Sequence, residues 1–510
     1  MSTRIARRGG VALVAIASGA LPALAQIGGA GNISNLWERT CANCHGDEGQ
    51  GGGAGTRTLL TAALFDQSHD RPFFDAIKNG VPDMGMMAFG KTLSDEQIWA
   101  LVVHIRELQH RALRRERGSP GARPGSVRST HHTFRVEEVV KDGLATPWAV
   151  AWLPDGSMLI TERAGRLRVW KDGVLSPPVA DIPKSVEIGQ GGLMEVAVHP
   201  DYATNGHVYL GYAKAAPGER RPPTMTTISR GKLDLTDPKS PKWTDEKVIW
   251  EAKREHFLAT GLHFGNNIVF SAPQEGGRRY LYFCIGERGR MEMAQDVTRP
   301  NGKVHRVWDD GEVPKDNPFV ETTGAYASIW SFGHRNPQGL VFDLNGVLWD
   351  TEHGPRGGDE LNVVVKGRNY GWPTVSYGIN YNDAPFRTPF PDLASGEGHT
   401  GKVAEIVMPV FRWLPSIGAC GLDVVRSEKF PKWNGDLVAG GLSGENVDRL
   451  RVTGDASGSG QLVEREELIH GLGRVRDVAC GPDGLVYVVL NGSPDEVGGN
   501  NRIVRLVPAE

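Results

Sequence analysis

The sequence is poor in cysteine and carries no marked excess of either charge. Past its first 25 residues it holds no apolar run near the ~18 needed to cross a bilayer. Five cysteines in 510 residues exclude a disulfide framework. Lys and Arg total 57 against 60 Asp and Glu, a formal charge of −3. That excludes a general nucleic-acid binder, which would be strongly basic. Wholesale disorder is excluded by 39% hydrophobic and 23% charged residues. Glycine and proline, by contrast, make up 98 of the 510 residues. Such a content favours many short strands over long helices and stays below the low-complexity range.

Residues 1–25 read as an export signal. Arg4, Arg7 and Arg8 form a positive start, Val11 to Leu21 is apolar, and Ala23-Leu24-Ala25 is a small-x-small cleavage site. Removing the signal takes three arginines with it and leaves a charge of −6. The mature protein is expected in the periplasm, with no transmembrane segment.

Cys41-Ala42-Asn43-Cys44-His45 is a C-x-x-C-H run, the attachment signal of c-type haem. Two thiols at this spacing reach the two vinyl carbons on one edge of the porphyrin. His45 then falls where its imidazole ligates the iron. A second axial ligand is expected in Val81-Pro82-Asp83-Met84-Gly85-Met86-Met87-Ala88-Phe89-Gly90. This stretch resembles the Met-Pro-Ala-Phe-like loop of class I cytochromes c, with Met87 in place of proline. The match points to Met86, with Met84 and Met87 as rivals. Thioether ligation raises the potential and suits electron transfer. Ser94 to Glu107 reads as a closing helix, with Ser94 as N-cap and Gln97 three residues on. Residues 106–128 hold seven arginines, two glutamates and several Gly and Pro, and read as a tether. His131-His132 reads as part of it. The expected organisation is therefore signal 1–25, an all-α cytochrome c domain 26–110, linker 111–133 and a large domain 134–510.

From about residue 134 one pattern recurs: apolar strand, tight polar turn, apolar strand. Its turns lie at Pro154-Asp155-Gly156, His199-Pro200-Asp201, Pro273-Gln274-Glu275-Gly276, Leu344-Asn345-Gly346, Pro431 to Gly435 and Pro482-Asp483-Gly484. Six copies at a mean spacing of about 66 residues predict an all-β six-bladed β-propeller with long inserted loops. Loops on one rim are where a site would be built.

The polar clusters fall between the repeats. Gln190-Gly191-Gly192-Leu193, His263-Phe264-Gly265, Gly286-Glu287-Arg288-Gly289 and Arg335-Asn336-Pro337-Gln338-Gly339 come first. Glu352 to Asn362, Asn369-Tyr370-Gly371-Trp372-Pro373 and Arg474-Val475-Arg476-Asp477 follow. Basic residues on one rim suit an anionic ligand with several carboxylates. A Gly-Pro turn flanked by acids offers carbonyls to a hard cation such as calcium.

In order and spacing these segments resemble the soluble PQQ-dependent glucose/aldose sugar dehydrogenases, six-bladed propellers that use pyrroloquinoline quinone (PQQ) and calcium. The likeness covers about three-quarters of the chain and implies roles. His263 would be the general base, oriented by Glu287. Arg335 would neutralise charge developing on the quinone oxygen. Gln190, Asn336, Gln338, Arg474 and Arg476 would hold the cofactor. Backbone carbonyls of Gly354 and Pro355 would bind the active-site calcium. Asp359 would line the sugar pocket or support His263, and Glu360 and Tyr370 resemble ligands of a second, structural calcium. One departure stands out: Gly441-Leu442-Ser443-Gly444-Glu445 lacks the lysine that family members often place beside the cofactor. Ser416 and Arg412 are the nearby substitutes. Cys284, Cys420 and Cys480 read as packing residues, with one disulfide at most.

These readings converge on a quinohaemoprotein. A sugar, or a related alcohol or aldehyde, is oxidised with PQQ. Electrons leave through the fused haem to an external acceptor: a soluble cytochrome, a quinone or a membrane oxidase. The competing readings are a calcium-dependent lactonase-type propeller hydrolase and a non-catalytic binding propeller.

Overall fold

The six recurring turns become the inner hairpins of six β-sheets in the computed structural model, which describes residues 33–52, 57–117, 125–218, 222–381, 406–492 and 500–509. Each named turn joins the first strand of a blade to the second. In the blade Pro147–Trp152, Met158–Glu162, Arg166–Lys171, Val174–Leu175, Trp152 pairs with Met158 across Pro154-Asp155-Gly156. The next four blades run from Leu193 to Trp250, Ile268 to Phe332, Pro337 to Trp413 and Ala419 to His470. The last sheet closes the ring. Its strands Arg474–Cys480, Val486–Asn491 and Arg502–Pro508 pair on to Thr133–Val140 and Ser126–Arg128. The first strands of successive blades touch one another around the ring. Second strands such as Met158–Glu162 and Leu348–Glu352 are buried along their whole length, because blades cover both faces.

The N-terminal domain is helical: α1 (Ile33–Thr40), α2 (Ala42–His45), α3 (Asp70–Asn79) and α4 (Asp95–Arg117). The α4 start is a capping box. Gln97 N–H donates to Ser94 Oγ at 3.3 Å and Ser94 N–H to Gln97 Oε1 at 3.0 Å. From Ile98 to Val103 every α4 residue is buried. One face packs on α1 and α3; the other lies on the propeller, where Trp99 Nε1 donates to Tyr377 O at 2.9 Å. A helix apolar all round is one enclosed on all sides.

Two expectations change. The arginine-rich stretch is not a free tether: α4 continues through it to Arg117. Arg106 is buried and donates to Asp70 Oδ1 at 2.7 Å, and Arg114 Nη2 donates to Gly444 O at 2.6 Å. Aliphatic stems and hydrogen-bonded guanidinium groups let arginines serve as docking residues. His131 and His132 also belong to the propeller. His131 Nε2 lies 3.0 Å from Glu464 Oε2, and His132 packs edge-on against Trp433. None of the five cysteines is in a disulfide; Cys284 and Cys420 are buried and hydrogen-bond to carbonyls of Pro337 and Val475. The expected signal 1–25 and residues 118–124 of the stretch lie outside the described residues.

Candidate functional site

The hairpin turns mark one rim of the ring; the polar clusters gather at the other. Most sit where first strands begin or second strands end, so antiparallel pairing carries them to one end, and Asn369 joins them by bridging to Phe332. There they enclose a cavity of about 490 Å³. Gln190, Asn336, Gln338, Gly354, Pro355, Arg474 and Arg476 all line it, as expected. So do His353 and Arg356 of the same run, and Trp148, Arg163 and, from α4, Glu107, which the sequence motifs did not single out.

Its polar wall is a connected network. Arg476 stacks 3.9 Å over the Trp148 ring and donates from Nη1 to Gln338 Oε1 at 3.1 Å. Gln338 Nε2 donates to Asn336 Oδ1 at 3.3 Å, and the same oxygen accepts from Gly265 N–H at 3.1 Å. Burial pulls the Arg476 pKa down to about 10, so it stays charged at neutral pH. Glycine is required where these segments cross. A Cβ on Gly286 would lie 2.4 Å from His263 O and 2.5 Å from Asn336 Oδ1.

His263 lies beside the cavity, next to the lining residues Phe264 and Gly265. Its φ of +48° is a left-handed conformation that non-glycine residues rarely adopt. Gln190 Oε1 holds it there, accepting from His263 N–H at 2.8 Å. Nδ1 is hydrogen-bonded to Glu287 Oε1, and Glu287 is buried at 1% exposure. Burial lowers the His263 pKa, and the Glu287 hydrogen bond partly opposes this. The imidazole is thus a neutral base with one nitrogen anchored.

Other expected residues stand apart from the cavity. Arg335 Nη1 donates to His353 O at 3.2 Å, and the guanidinium sits 5.3 Å from the Trp372 ring. Asp359 is fully buried. It accepts from Gly354 N–H at 3.0 Å, Ser416 Oγ at 2.6 Å and Ala419 N–H at 2.8 Å. None of these bonds is to His263, so Asp359 braces the Gly354 turn from behind. Arg412 turns away: it pairs with Asp70 of α3 and lies 4.6 Å from the Tyr377 ring. That leaves Ser416 and Ser443 at the edge where the lysine is missing.

Glu360 and Tyr370 line a second, small cavity behind Gly354 and Pro355, together with Arg335 and Glu352. The Tyr370 hydroxyl is engaged on both sides, donating to Val363 O and accepting from Val365 N–H at 2.8 Å. Close by, His334, Asp350 and Glu352 place one ligand atom each within 4.8 Å of one another, all buried. Burial, then Glu352, pushes the Asp350 carboxyl well up; burial and Glu352 do the same for Glu360. Both Asp350 oxygens lack a hydrogen-bond partner. This donor set fits a buried cation. The sequence signal was available: Asp350 and Glu352 are two apart on one strand and share a face.

In the helical domain, Cys41 precedes the single turn α2, Cys44 lies within it and His45 ends it. Burial lowers the His45 pKa, which keeps the imidazole free to ligate metal. Val81 and Met86 exchange backbone hydrogen bonds of 2.9 and 3.1 Å around a turn. Met86 packs in the same apolar cluster as Cys41, Trp37, Phe74 and Phe89, whereas Met84 and Met87 are 60% and 70% exposed. The C-x-x-C-H turn, with Cys41 and Met86 on one apolar cluster, suits a covalently held haem.

Comparison with known proteins agrees with both halves. Glucose / Sorbosone dehydrogenase matches residues 144–498, and Cytochrome C oxidase, cbb3-type, subunit III matches residues 30–105. Aldose sugar dehydrogenase YliI of Escherichia coli is 40% identical over 366 residues, which are 71% of this chain and 91% of that protein. The apo crystal structure of the soluble E. coli aldose sugar dehydrogenase superposes with a TM-score of 0.61 at 37% identity, covering 74% of this chain and 100% of that one. A PQQ-bound aldose sugar dehydrogenase from Streptomyces coelicolor gives 0.55 at 26% identity, covering 73% and 98%. With its six-bladed ring, its cavity and these matches, the chain belongs to the Glucose / Sorbosone dehydrogenase family of oxidoreductases and carries a cytochrome c domain ahead of the propeller.

Proposed function

We propose that the chain is a periplasmic PQQ-dependent aldose dehydrogenase that passes electrons through its own c-type haem to an external acceptor. One observation carries the reading: a cavity walled by arginines and amides, with an anchored, neutral histidine at its edge and a cytochrome domain docked on its rim. PQQ, a flat tricarboxylate, would accept hydride from the sugar. Arg474 and Arg476 are the natural partners of its carboxylates, and Gln190, Asn336 and Gln338 of its carbonyls. Glu107 is the one carboxylate lining the cavity among the described residues, so a calcium ion at Gly354 and Pro355 would draw on main-chain and cofactor oxygens. The same scarcity disfavours a calcium-dependent hydrolase, which needs carboxylates converging on its open cavity.

His263 takes the proton of the anomeric hydroxyl at Nε2, while Glu287 fixes the ring through Nδ1. Arg335 sits behind His353, where its charge favours negative charge building in the cavity. The test is dye reduction by the chain loaded with PQQ and calcium, over a panel of aldoses. His263→Ala is expected to lower kcat by about 10²–10⁴-fold. Full activity in that variant, or none in the native chain with any aldose, would reject the proposal.

A further inference from the structure

We propose that Glu107, carried by helix α4 of the cytochrome domain, is a specificity-determining wall of the sugar site that selects neutral aldoses over those bearing a carboxylate. The inference rests on the sugar-dehydrogenase reading above. Four observations carry it. Glu107 lines the propeller cavity, although it belongs to the other domain. It is held there: Arg356 Nε and Nη2 donate to its two oxygens, both at 2.8 Å. Arg356 lines the same cavity in one run with Gly354, Pro355 and Gly357. And α4 cannot swing away, because Trp99, Arg106, Arg114 and the Asp70–Arg412 pair pin it to the propeller and to α3. Relatives matched along their full length account for only 74% of this chain, so this wall is an addition to the propeller they share.

A bidentate carboxylate–guanidinium pair presents little net charge but offers both acceptors and donors. Sugar hydroxyls, which are both donor and acceptor, suit such a surface. A substrate carboxylate facing Glu107 would lose its hydration and meet a like charge, and specificity is commonly built from such repulsion. Glu107 and Arg356 therefore act with opposite sign. Neutralising the glutamate makes the wall positive; neutralising the arginine makes it negative.

The experiment compares glucose with glucuronate, which differ only at C6, in the full-length chain loaded with PQQ and calcium. Glu107→Gln is expected to raise the ratio of kcat/KM for glucuronate over glucose at least tenfold. Arg356→Gln is expected to lower it at least threefold, and this arm decides alone if the first variant does not fold. A second readout needs no turnover: glucuronate should raise the thermal midpoint of cofactor-free Glu107→Gln more than that of the native chain. Ratios that stay put, or move the same way in both variants, overturn the wall while leaving the dehydrogenase intact. A native chain inert toward every aldose overturns the reading beneath it instead.

Discussion

At the scale of single residues the account turns on His263 and Glu287. Burial depresses the imidazole pKa, and the Glu287 hydrogen bond opposes that effect without cancelling it. A base with a depressed pKa stays unprotonated as pH falls past the ordinary histidine value, so kcat/KM should hold steady below neutrality and drop only in more acidic solution. Glu287→Gln removes an influence that raises the pKa. The acid limb of the pH–rate profile should therefore move further down, while kcat falls by about tenfold or more as the ring loses its orientation. A limb that moves up would contradict this arrangement. The sequence motifs named many of the polar side chains that line the cavity, though not Arg163 or Glu107. They did not tell which ones face the cavity: Asp359 and Arg335 carry the right groups but sit behind the wall, braced by Ser416, Ala419 and His353. Facing depends on contacts between segments far apart in the chain, and motif spacing holds no record of those.

At the scale of elements, α4 shows where local pattern was misleading. Seven arginines between residues 106 and 128 suggested a solvated tether, because charge runs usually are solvated. The structure instead pairs Arg106 with Asp70, Arg114 with the Gly444 carbonyl and Arg115 with Glu48. Asp70 heads α3 at 1% exposure and receives both Arg106 from α4 and Arg412 from the propeller. Removing a buried carboxylate strands its partners, so Asp70→Ala should destabilise the docked cytochrome domain by about 3–5 kcal/mol. Thermal unfolding followed at the haem band checks this. An unchanged midpoint would mean that the two domains do not depend on the pair. The blades, by contrast, were legible because each repeats one hairpin turn between two apolar strands, a signal local in the chain. The capping box of α4 was legible for the same reason: its signal is local.

At the scale of the whole molecule, two closures define the protein. The ring is shut by Thr133–Val140 pairing with Arg502–Pro508. The cytochrome domain is then laid across the rim that bears the cavity, with Glu107 inside it. The number of blades and the order of domains could be read from the chain, since repeats and the C-x-x-C-H run are one-dimensional signals. The docking could not, because it rests on pairs such as Glu107 with Arg356 and Trp99 with Tyr377 that lie hundreds of residues apart. On the proposed reading, a haem tethered beside the oxidising site would be reduced within one chain. The most direct test is rapid mixing of an aldose with the chain loaded with PQQ, calcium and haem, following the haem band at several protein concentrations. The account predicts haem reduction only when PQQ, calcium and sugar are all present, at a first-order rate independent of protein concentration. A haem that stays oxidised, or a rate that rises in proportion to protein concentration, would contradict it.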